Sequence, residues 1–246
     1  MTWVKICGIT NLEDAQVAVE AGAEALGFVF YEKSPRNVQP EVAREIVAKL
    51  PAHVEKVGVF VDSRDHQRVM IARKVGLTGL QHSMGFSPSD SKEPPVTIGF
   101  AGFPRPPKLF FSFPMASFLD DPKKLSGLAN SFLHLRRNVD APGRPPIPDG
   151  WFDTFILDSA TPQQPGGTGK VFDWGKAVPV AEAMREGGLK LVVAGGLTPE
   201  NVTEAMRILK PWGVDVSSGV EARPGKKDPE KVRAFINAVR EADKNA

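Results

Sequence analysis

Residues 189–217 read LKLVVAGGLTPENVTEAMRILKPWGVDVS and contain one complete structural unit. A β-branched run over 189–194 is followed by a glycine pair. Thr198-Pro199 then opens an amphipathic segment, with proline at the first helical position. A second short apolar run covers 213–217. Two strands separated by a helix form a βαβ unit, so this stretch predicts a parallel sheet covered by helices.

The same alternation continues along the rest of the chain. Short runs that we interpret as strands cover residues 3–7, 25–30, 56–61, 78–82, 108–113, 152–157, 189–194 and 213–217. Further helices are predicted after Thr10, where Glu13 completes a capping box, from Pro40, over 64–75, 120–135 and 174–186, and from Asp228-Pro229. With eight strand–helix pairs, the 246 residues fit a single-domain α/β protein with the (β/α)8 TIM barrel fold. An open doubly wound sheet also fits the alternation.

The middle of the chain is irregular and rich in proline. Residues 85–150 hold 12 of the 22 prolines, which excludes much of this region from helix interiors and central strands. We expect one strand here, preferably 108–113, because a helix then fits over 120–135; residues 96–100 are the alternative strand. The remainder is interpreted as an insertion around strands 4–6.

Composition narrows the classes of partner and site. The formal net charge of +2 offers no electrostatic reason to expect a nucleic-acid or membrane partner. The N-terminus lacks an apolar signal core and no run of ~18 apolar residues occurs, so we predict a cytoplasmic location. One cysteine excludes an intramolecular disulfide, and none of the four histidines lies at metal-ligand spacing with another, so no metal site is predicted.

Glycine-rich segments follow the last three predicted strands. Glycine lets backbone N–H groups approach a phosphate closely, hydroxyls add donors, and barrels often bind phosphate after strands seven and eight. Tight turns are the alternative explanation for such glycines. The candidate phosphate-binding residues are Gly167, Gly195, Gly196, Ser217, Ser218 and Gly219.

Two ionisable residues stand at strand ends, where barrel enzymes place their active sites. Cys7 ends the first strand and Asp158 ends the sixth. Lys5 shares a strand face with Cys7, so Lys5 and Asp215 are expected to form an internal ion pair below the site, and Lys5 is a candidate to help Cys7 ionise. The alternatives are a small buried hydrophobe for Cys7 and a loop cap for Asp158.

Arg36 and His82 are weaker candidates on their own. Arg36 follows a stiff Ser34-Pro35 turn, which could aim its guanidinium at a carboxylate; a solvated surface arginine is the alternative. His82 ends the fourth predicted strand, and a hydrogen-bonded packing role is favoured over a catalytic one.

Together these segments resemble the phosphoribosylanthranilate isomerase family over residues 1–82 and 151–239. The matching segments are KICGIT (5–10), GFVF (27–30), SPR (34–36), VGVF (57–60), LDS (157–159), GTG (167–169), FDW (172–174), AGGLTPENV (194–202) and VDVSSGVE (214–221). The family's Gln-Leu-His-Gly pattern is replaced by Leu80-Gln81-His82-Ser83, which puts a substrate role for His82 in doubt.

The resemblance implies a (β/α)8 barrel that catalyses an Amadori rearrangement in tryptophan biosynthesis. It assigns the general base to Cys7, the general acid to Asp158 and the substrate's anthranilate carboxylate to Arg36. His82 and Asp215 are further candidate substrate-binding residues. For this chemistry we expect a raised pKa for Asp158 and a lowered one for Cys7. The implied ligand is a phosphorylated sugar–anthranilate, with no metal or organic cofactor, bound by a monomer or homodimer.

Three alternatives remain at this point. An aminoimidazole ribotide isomerase would carry an aspartate where this chain has Cys7. An indole-glycerol phosphate synthase would need a lysine and glutamate set that the strand ends lack. A non-catalytic sugar-phosphate-binding or scaffold barrel would need neither Cys7 nor Asp158.

Overall fold

The computed structural model describes residues 1–61, 65–83, 103, 105–115, 127, 153–159 and 171–245. Eight parallel strands form a closed barrel in chain order, which confirms the predicted (β/α)8 fold over the open sheet. The strands are β1 (Trp3–Cys7), β2 (Ala25–Val29), β3 (Glu55–Phe60), β4 (Gly79–Ser83), β5 (Lys108–Pro114), β6 (Thr154–Asp158), β7 (Lys190–Ala194) and β8 (Gly213–Val216).

Helices alternate with these strands and cover the barrel. Those whose bounds lie in the described ranges are α1 (Leu12–Ala21), α2 (Pro40–Val47), α3 (Asp65–Val75), α4 (Trp174–Glu186), α5 (Val202–Leu209) and α6 (Pro229–Lys244). After β8 come a short 3-10 helix (Ser218–Val220) and an antiparallel hairpin of β9 (Glu221–Arg223) and β10 (Lys226–Lys227). α6 packs against both α1 and α5, so the layer of helices joins the two ends of the chain.

Side-chain alternation divides the apolar residues into two layers. The barrel interior is filled by a cluster that includes Trp3, Val57, Phe110, Ile156 and Val192. The alternate residues of the same strands pack outward in a larger cluster shared with the helices. Because side chains alternate between the two faces of a strand, either the last residue of each strand or its neighbour points into the mouth of the barrel.

The fifth strand lies where the sequence places it. β5 covers Lys108–Pro114 and pairs with both β4 and β6, so the preference for 108–113 is confirmed. The alternative strand at 96–100 and most of the insertion over 85–150 lie outside the described residues. Of the predicted helix over 120–135, only Gly127 is described, and it is helical.

Two helix starts differ from the predictions. The cap of α1 is Asn11 and not Thr10: the Asn11 side chain accepts a hydrogen bond from the Asp14 amide, while the Thr10 hydroxyl donates to the Gly225 carbonyl. The helix predicted from Thr198-Pro199 begins later, with Asn201 as its cap. Asn201 accepts a hydrogen bond from the Thr198 amide, and this local turn competes with an earlier helical start.

The β9–β10 hairpin is bound to the first turn of α1. Asp14 accepts hydrogen bonds from the Lys227 amide at 2.7 Å and from Lys226 Nζ at 2.6 Å. Gly225, at the tip, has φ +80°, and a Cβ there would lie 2.8 Å from the Pro35 carbonyl oxygen. The hairpin therefore contacts the loop after β1, through Thr10, and the loop after β2, which carries Arg36.

The described helices include none that is both long and apolar enough to span a bilayer. The cytoplasmic location stays a prediction.

Candidate active site

Cys7 lies at the mouth of the barrel with its side chain turned inward. It ends β1, on the strand face shared with Lys5 and the interior residue Trp3. Below it, the fully buried Lys5 Nζ donates to Asp215 Oδ2 at 2.7 Å and to Gln81 Oε1 at 2.9 Å. The predicted Lys5–Asp215 pair is confirmed, and Gln81 is an additional partner.

The protonation of Cys7 is set by burial and by charges of both signs. Burial raises the pKa of the thiol above its ordinary value; the Lys5 ammonium acts to lower it, while the Asp215 carboxylate acts to raise it. Burial also acts to lower the pKa of Lys5, but Asp215 and Cys7 outweigh burial and leave that pKa raised. The expected lowering of the Cys7 pKa is therefore wrong, because burial of the thiol outweighs the Lys5 ammonium, whose effect the Asp215 carboxylate also opposes.

Glycine at position 27 makes the space that Cys7 and Lys5 occupy. Gly27 pairs with Cys7 in the β1–β2 register. A Cβ at Gly27 would lie 2.7 Å from Cys7 Sγ and 3.1 Å from Lys5 Cε. Such distances are too short for carbon and sulfur, so any larger residue would displace the thiol.

Asp158 is placed at the same mouth. It ends β6, on the strand face of the interior residue Ile156, and is half-buried. In the closed sheet, β7 and β8 separate β6 from β1. Cys7 and Asp158 therefore lie on different parts of one rim, as an acid and a base on two sides of a bound sugar would.

Arg36 is held by a carboxylate of the hairpin. Its Nε and Nη2 donate to Glu221 Oε1 and Oε2, both at 2.8 Å. Lys227 Nζ donates to the same Oε1 at 3.0 Å and to the Ser217 carbonyl at 3.1 Å. Arg36 is thus no solvated surface arginine: its side chain is only 11% exposed.

The glycine-containing loops after β7 and β8 are in close contact with each other. Gly195 and Gly196 have φ +85° and +66°, which favour glycine. A Cβ on Gly219 would lie 1.8 Å from the Leu197 carbonyl oxygen, so the loops after β7 and β8 touch through this glycine. The Asn201 side chain also donates from Nδ2 to the Gly196 carbonyl at 2.9 Å. Gly167 lies outside the described residues.

Two buried polar atoms near these loops are unsatisfied. Asp215 Oδ1 and Ser217 Oγ make no hydrogen bond within the described part of the chain. Ser217 Oγ also lies 3.0 Å from where a Cβ on Gly8 would stand, beside the residue that follows Cys7. Buried polar atoms are nearly always paired, so both are suited to contact a ligand.

His82 lies apart from the other candidate site residues at the barrel mouth. Its neighbour Gln81 faces Lys5 inside the barrel, so alternation directs His82 outward, where Nδ1 contacts the Arg68 guanidinium of α3. The structure thus places His82 in the layer between sheet and helix, in agreement with the packing role and away from the predicted substrate contact.

Sequence reasoning missed four residues of the site: Gln81, Gly27, Glu221 and Lys227. Alternation from a correctly placed β4 would have directed Gln81 inward. Gly27 meets Cys7 only through the β1–β2 register, and Glu221 meets Arg36 185 positions away in sequence. Lys227 contacts Glu221 only when the β9–β10 hairpin forms. Within the described ranges, no three histidine, cysteine, aspartate or glutamate side chains group as metal ligands.

Comparison with known proteins gives a family match over most of the chain. The model of the N-(5'-phosphoribosyl)anthranilate (PRA) isomerase family matches residues 4–82 and 149–238. An N-(5'-phosphoribosyl)anthranilate isomerase of Geobacter sp. (strain M21) is 42% identical over 237 residues, covering 96% of this chain and 97% of the relative.

Solved structures agree with the sequence match. A phosphoribosyl anthranilate isomerase in complex with reduced 1-(o-carboxyphenylamino)-1-deoxyribulose 5-phosphate superposes with a TM-score of 0.68 at 33% identity, covering 98% of this chain and 100% of the other. Monomers generated from the dimeric Thermotoga maritima enzyme give a TM-score of 0.68 at 34% identity, covering 98% and 99%. The chain belongs to the N-(5'-phosphoribosyl)anthranilate isomerase family.

Proposed function

We propose that the chain catalyses the Amadori rearrangement of N-(5-phosphoribosyl)anthranilate to 1-(2-carboxyphenylamino)-1-deoxyribulose 5-phosphate, with Cys7 as general base and Asp158 as general acid. The observation that carries this proposal is that both residues end strands of one barrel and face its mouth. An ammonium group directly below Cys7 gives the thiolate a counter-charge.

The first step opens the ribose ring. Asp158 donates a proton to the ring oxygen, the bond from C1′ to that oxygen breaks, and the nitrogen lone pair forms a protonated Schiff base at C1′. Asp158 is then a carboxylate. A positioned acid of this kind contributes a rate factor of ~100 to 10,000.

The second step moves a proton from carbon. The Cys7 thiolate removes the C2′ proton, and the electron pair forms the C1′–C2′ double bond of an enolamine while neutralising the nitrogen. The C2′ hydroxyl then loses its proton and C1′ gains one, which gives the ketone. Exchange with water returns Asp158 to its acid and Cys7 to its thiolate. The two carbons exchange oxidation levels internally, so the sequence needs no electron acceptor and we propose no cofactor.

Binding is assigned to groups around this pair. Arg36 would receive the anthranilate carboxylate. The phosphate would meet the loops after β7 and β8, including Gly195, Gly196, Ser217, Ser218 and Gly219, together with Gly167. Asp215 Oδ1 and Ser217 Oγ are buried polar atoms that a sugar hydroxyl or phosphate oxygen can satisfy.

An assay of the purified protein tests the reaction and its two residues. Loss of the fluorescent substrate is followed with excess product-consuming enzyme, and we expect turnover by the wild type. Cys7→Ala and Asp158→Asn should each reduce kcat by at least about 100-fold, since each removes one proton carrier.

Binding of the reduced product analogue separates this function from a non-catalytic sugar-phosphate-binding barrel. Cys7→Ala should still bind the analogue, as measured by calorimetry, and Glu230→Gln on the surface of α6 serves as the control. Folded wild-type protein that binds the analogue without turnover would support the binding-protein alternative. A single small-molecule ligand is proposed as the partner, and the choice between monomer and homodimer stays a prediction for light scattering.

A further inference from the structure

The orientation of Arg36 leaves one edge of its guanidinium group for a ligand. Glu221 accepts hydrogen bonds from Nε and Nη2, which occupies the side edge. The outer edge, formed by Nη1 and the second hydrogen of Nη2, makes no hydrogen bond within the described part of the chain. A guanidinium group can bind one carboxylate on each of these edges. Glu221 therefore determines which edge a substrate can use.

Glu221 is itself fixed from several directions. Besides Arg36, it accepts from Lys227 Nζ and from the Gly225 amide at 3.3 Å, and its side chain is 4% exposed. Its backbone carbonyl accepts from Lys231 Nζ at 3.0 Å. Glu221 is thus held at its backbone carbonyl and at Oε1 independently of Arg36, so its carboxylate sets the orientation of the Arg36 guanidinium group.

Lys227 supplies a second positive charge to this group. Its side chain is 1% exposed, and within the described residues Lys227 Nζ pairs with no carboxylate other than Glu221, its remaining hydrogen bond going to the Ser217 carbonyl. Two basic side chains thus share one carboxylate; burial lowers the pKa of Lys227, and the neighbouring Glu221 carboxylate acts to raise it. With Lys227 protonated, the Arg36 cluster, defined as Arg36, Glu221 and Lys227, carries one net positive charge. Without Lys227, the ion pair of Arg36 and Glu221 would be neutral.

We propose that Glu221 and Lys227 are the specificity-determining positioning residues for the carboxylate of the substrate. Glu221 orients the outer edge of Arg36, and Lys227 restores the positive charge that Glu221 would otherwise cancel. The site therefore selects aminoaldose phosphates that carry a carboxylate on the amine substituent. This inference rests on the proposed function, because that function brings such a carboxylate to Arg36.

Two matched ligands measure this selection without catalysis. One is reduced 1-(o-carboxyphenylamino)-1-deoxyribulose 5-phosphate, and the other is the same compound with phenyl in place of carboxyphenyl. The ratio of their dissociation constants, measured by calorimetry, reports carboxylate recognition alone. A substitution that only destabilised the fold would weaken the binding of both ligands and leave the ratio of their dissociation constants unchanged.

Three variants separate orientation from charge. Glu221→Gln raises the net charge of the cluster to about +2 but removes the fixed anchor; Lys227→Met keeps the anchor and brings the net charge to zero. The double variant carries only the charge of Arg36, as large as in the wild type, without the anchor. The double variant buries one unpaired cation fewer than Glu221→Gln. It therefore serves as the second test if Glu221→Gln fails to fold. Glu13→Gln, which loses an exposed ion pair of the same hairpin, is the control.

We expect the wild type to prefer the carboxylated ligand by about 10- to 100-fold, as charge-assisted bidentate bonds give. Each of the three variants should lower this preference at least about fivefold, and the control should keep it. If Glu221→Gln kept the wild-type preference for the carboxylated ligand, or if the double variant regained it, charge alone would select this ligand and Glu221 would have no orienting role. An unchanged preference in Lys227→Met would overturn its role. Failure of the wild type to prefer the carboxylated ligand would instead contradict the proposed function.

Discussion

Ionisation of the Cys7 thiol limits the proposed chemistry. Burial opposes thiolate formation, and Lys5 favours it. Asp215 weakens that help because it holds the same ammonium at 2.7 Å. A base with a raised pKa accepts a proton strongly but is seldom ionised near neutral pH. We therefore expect kcat/KM to increase as pH rises toward the Cys7 pKa.

Asp215→Asn should lower the pKa of Cys7. The substitution removes a negative charge that raises this pKa and leaves Lys5 free to act on the thiol, so the rise of kcat/KM should move to lower pH. Lys5→Met should move it to higher pH. Absorbance at 240 nm checks both shifts directly, because Cys7 is the only cysteine; a Cys7→Ser sample corrects for the single tyrosine. A higher thiol pKa in Asp215→Asn would contradict this account.

At the scale of elements, the loops after β7 and β8 form one surface because glycine allows their contact. Gly219 meets the carbonyl of Leu197, and Asn201 fixes the Gly196 carbonyl from the start of α5. The glycine spacing in the sequence predicted the loops. It did not predict the contact between them, since Leu197 and Gly219 are 22 positions apart and approach only when β7 and β8 pair.

Gly219→Ala should separate these two loops. The added Cβ would lie 1.8 Å from a backbone oxygen, which no side-chain rotation relieves, so we expect a loss of about 1–3 kcal/mol in the free energy of unfolding. Affinity for the sugar phosphate should fall with it. Urea unfolding and calorimetry with the reduced analogue measure the two effects. Gly175→Ala in α4 is the control, and equal stabilities of the two variants would refute the expected clash.

At the scale of the whole molecule, the barrel closes where its first and last strands pair. The β1–β8 register places Lys5 beside Asp215, so closure and assembly of the site are the same event. Outside this seam, Arg240 of α6 donates to the carbonyls of Thr2 and Gly22 and pairs with Glu24. The last helix is thus bound to the residue before β1 and to the connection between α1 and β2.

Arg240→Met should weaken this closure while leaving the site chemistry intact. Methionine keeps much of the apolar contact but loses the hydrogen bonds to two carbonyls, so we expect a loss of about 1–2 kcal/mol in the free energy of unfolding. Urea unfolding measures the loss, and kcat at 25 °C should remain within about twofold of the wild type. An exposed substitution on the same helix, Arg233→Met, should cost less than about 0.5 kcal/mol. Equal costs for both variants would show that Arg240 does not contribute to closure.

The sequence by itself determined the βαβ order, the eight strands and the strand ends that carry Cys7 and Asp158, because side-chain period and turn residues are local properties. It also determined the Lys5–Asp215 pair through alternation. Only the tertiary structure decided that Gln81 joins this pair, that His82 faces outward, and that Glu221 binds both Arg36 and Lys227. These contacts depend on strand register and on a hairpin that folds back across the chain, and neither leaves a periodic signal in the sequence. The raised pKa of Cys7 belongs to the same class, since burial and competing charges exist only after the barrel closes.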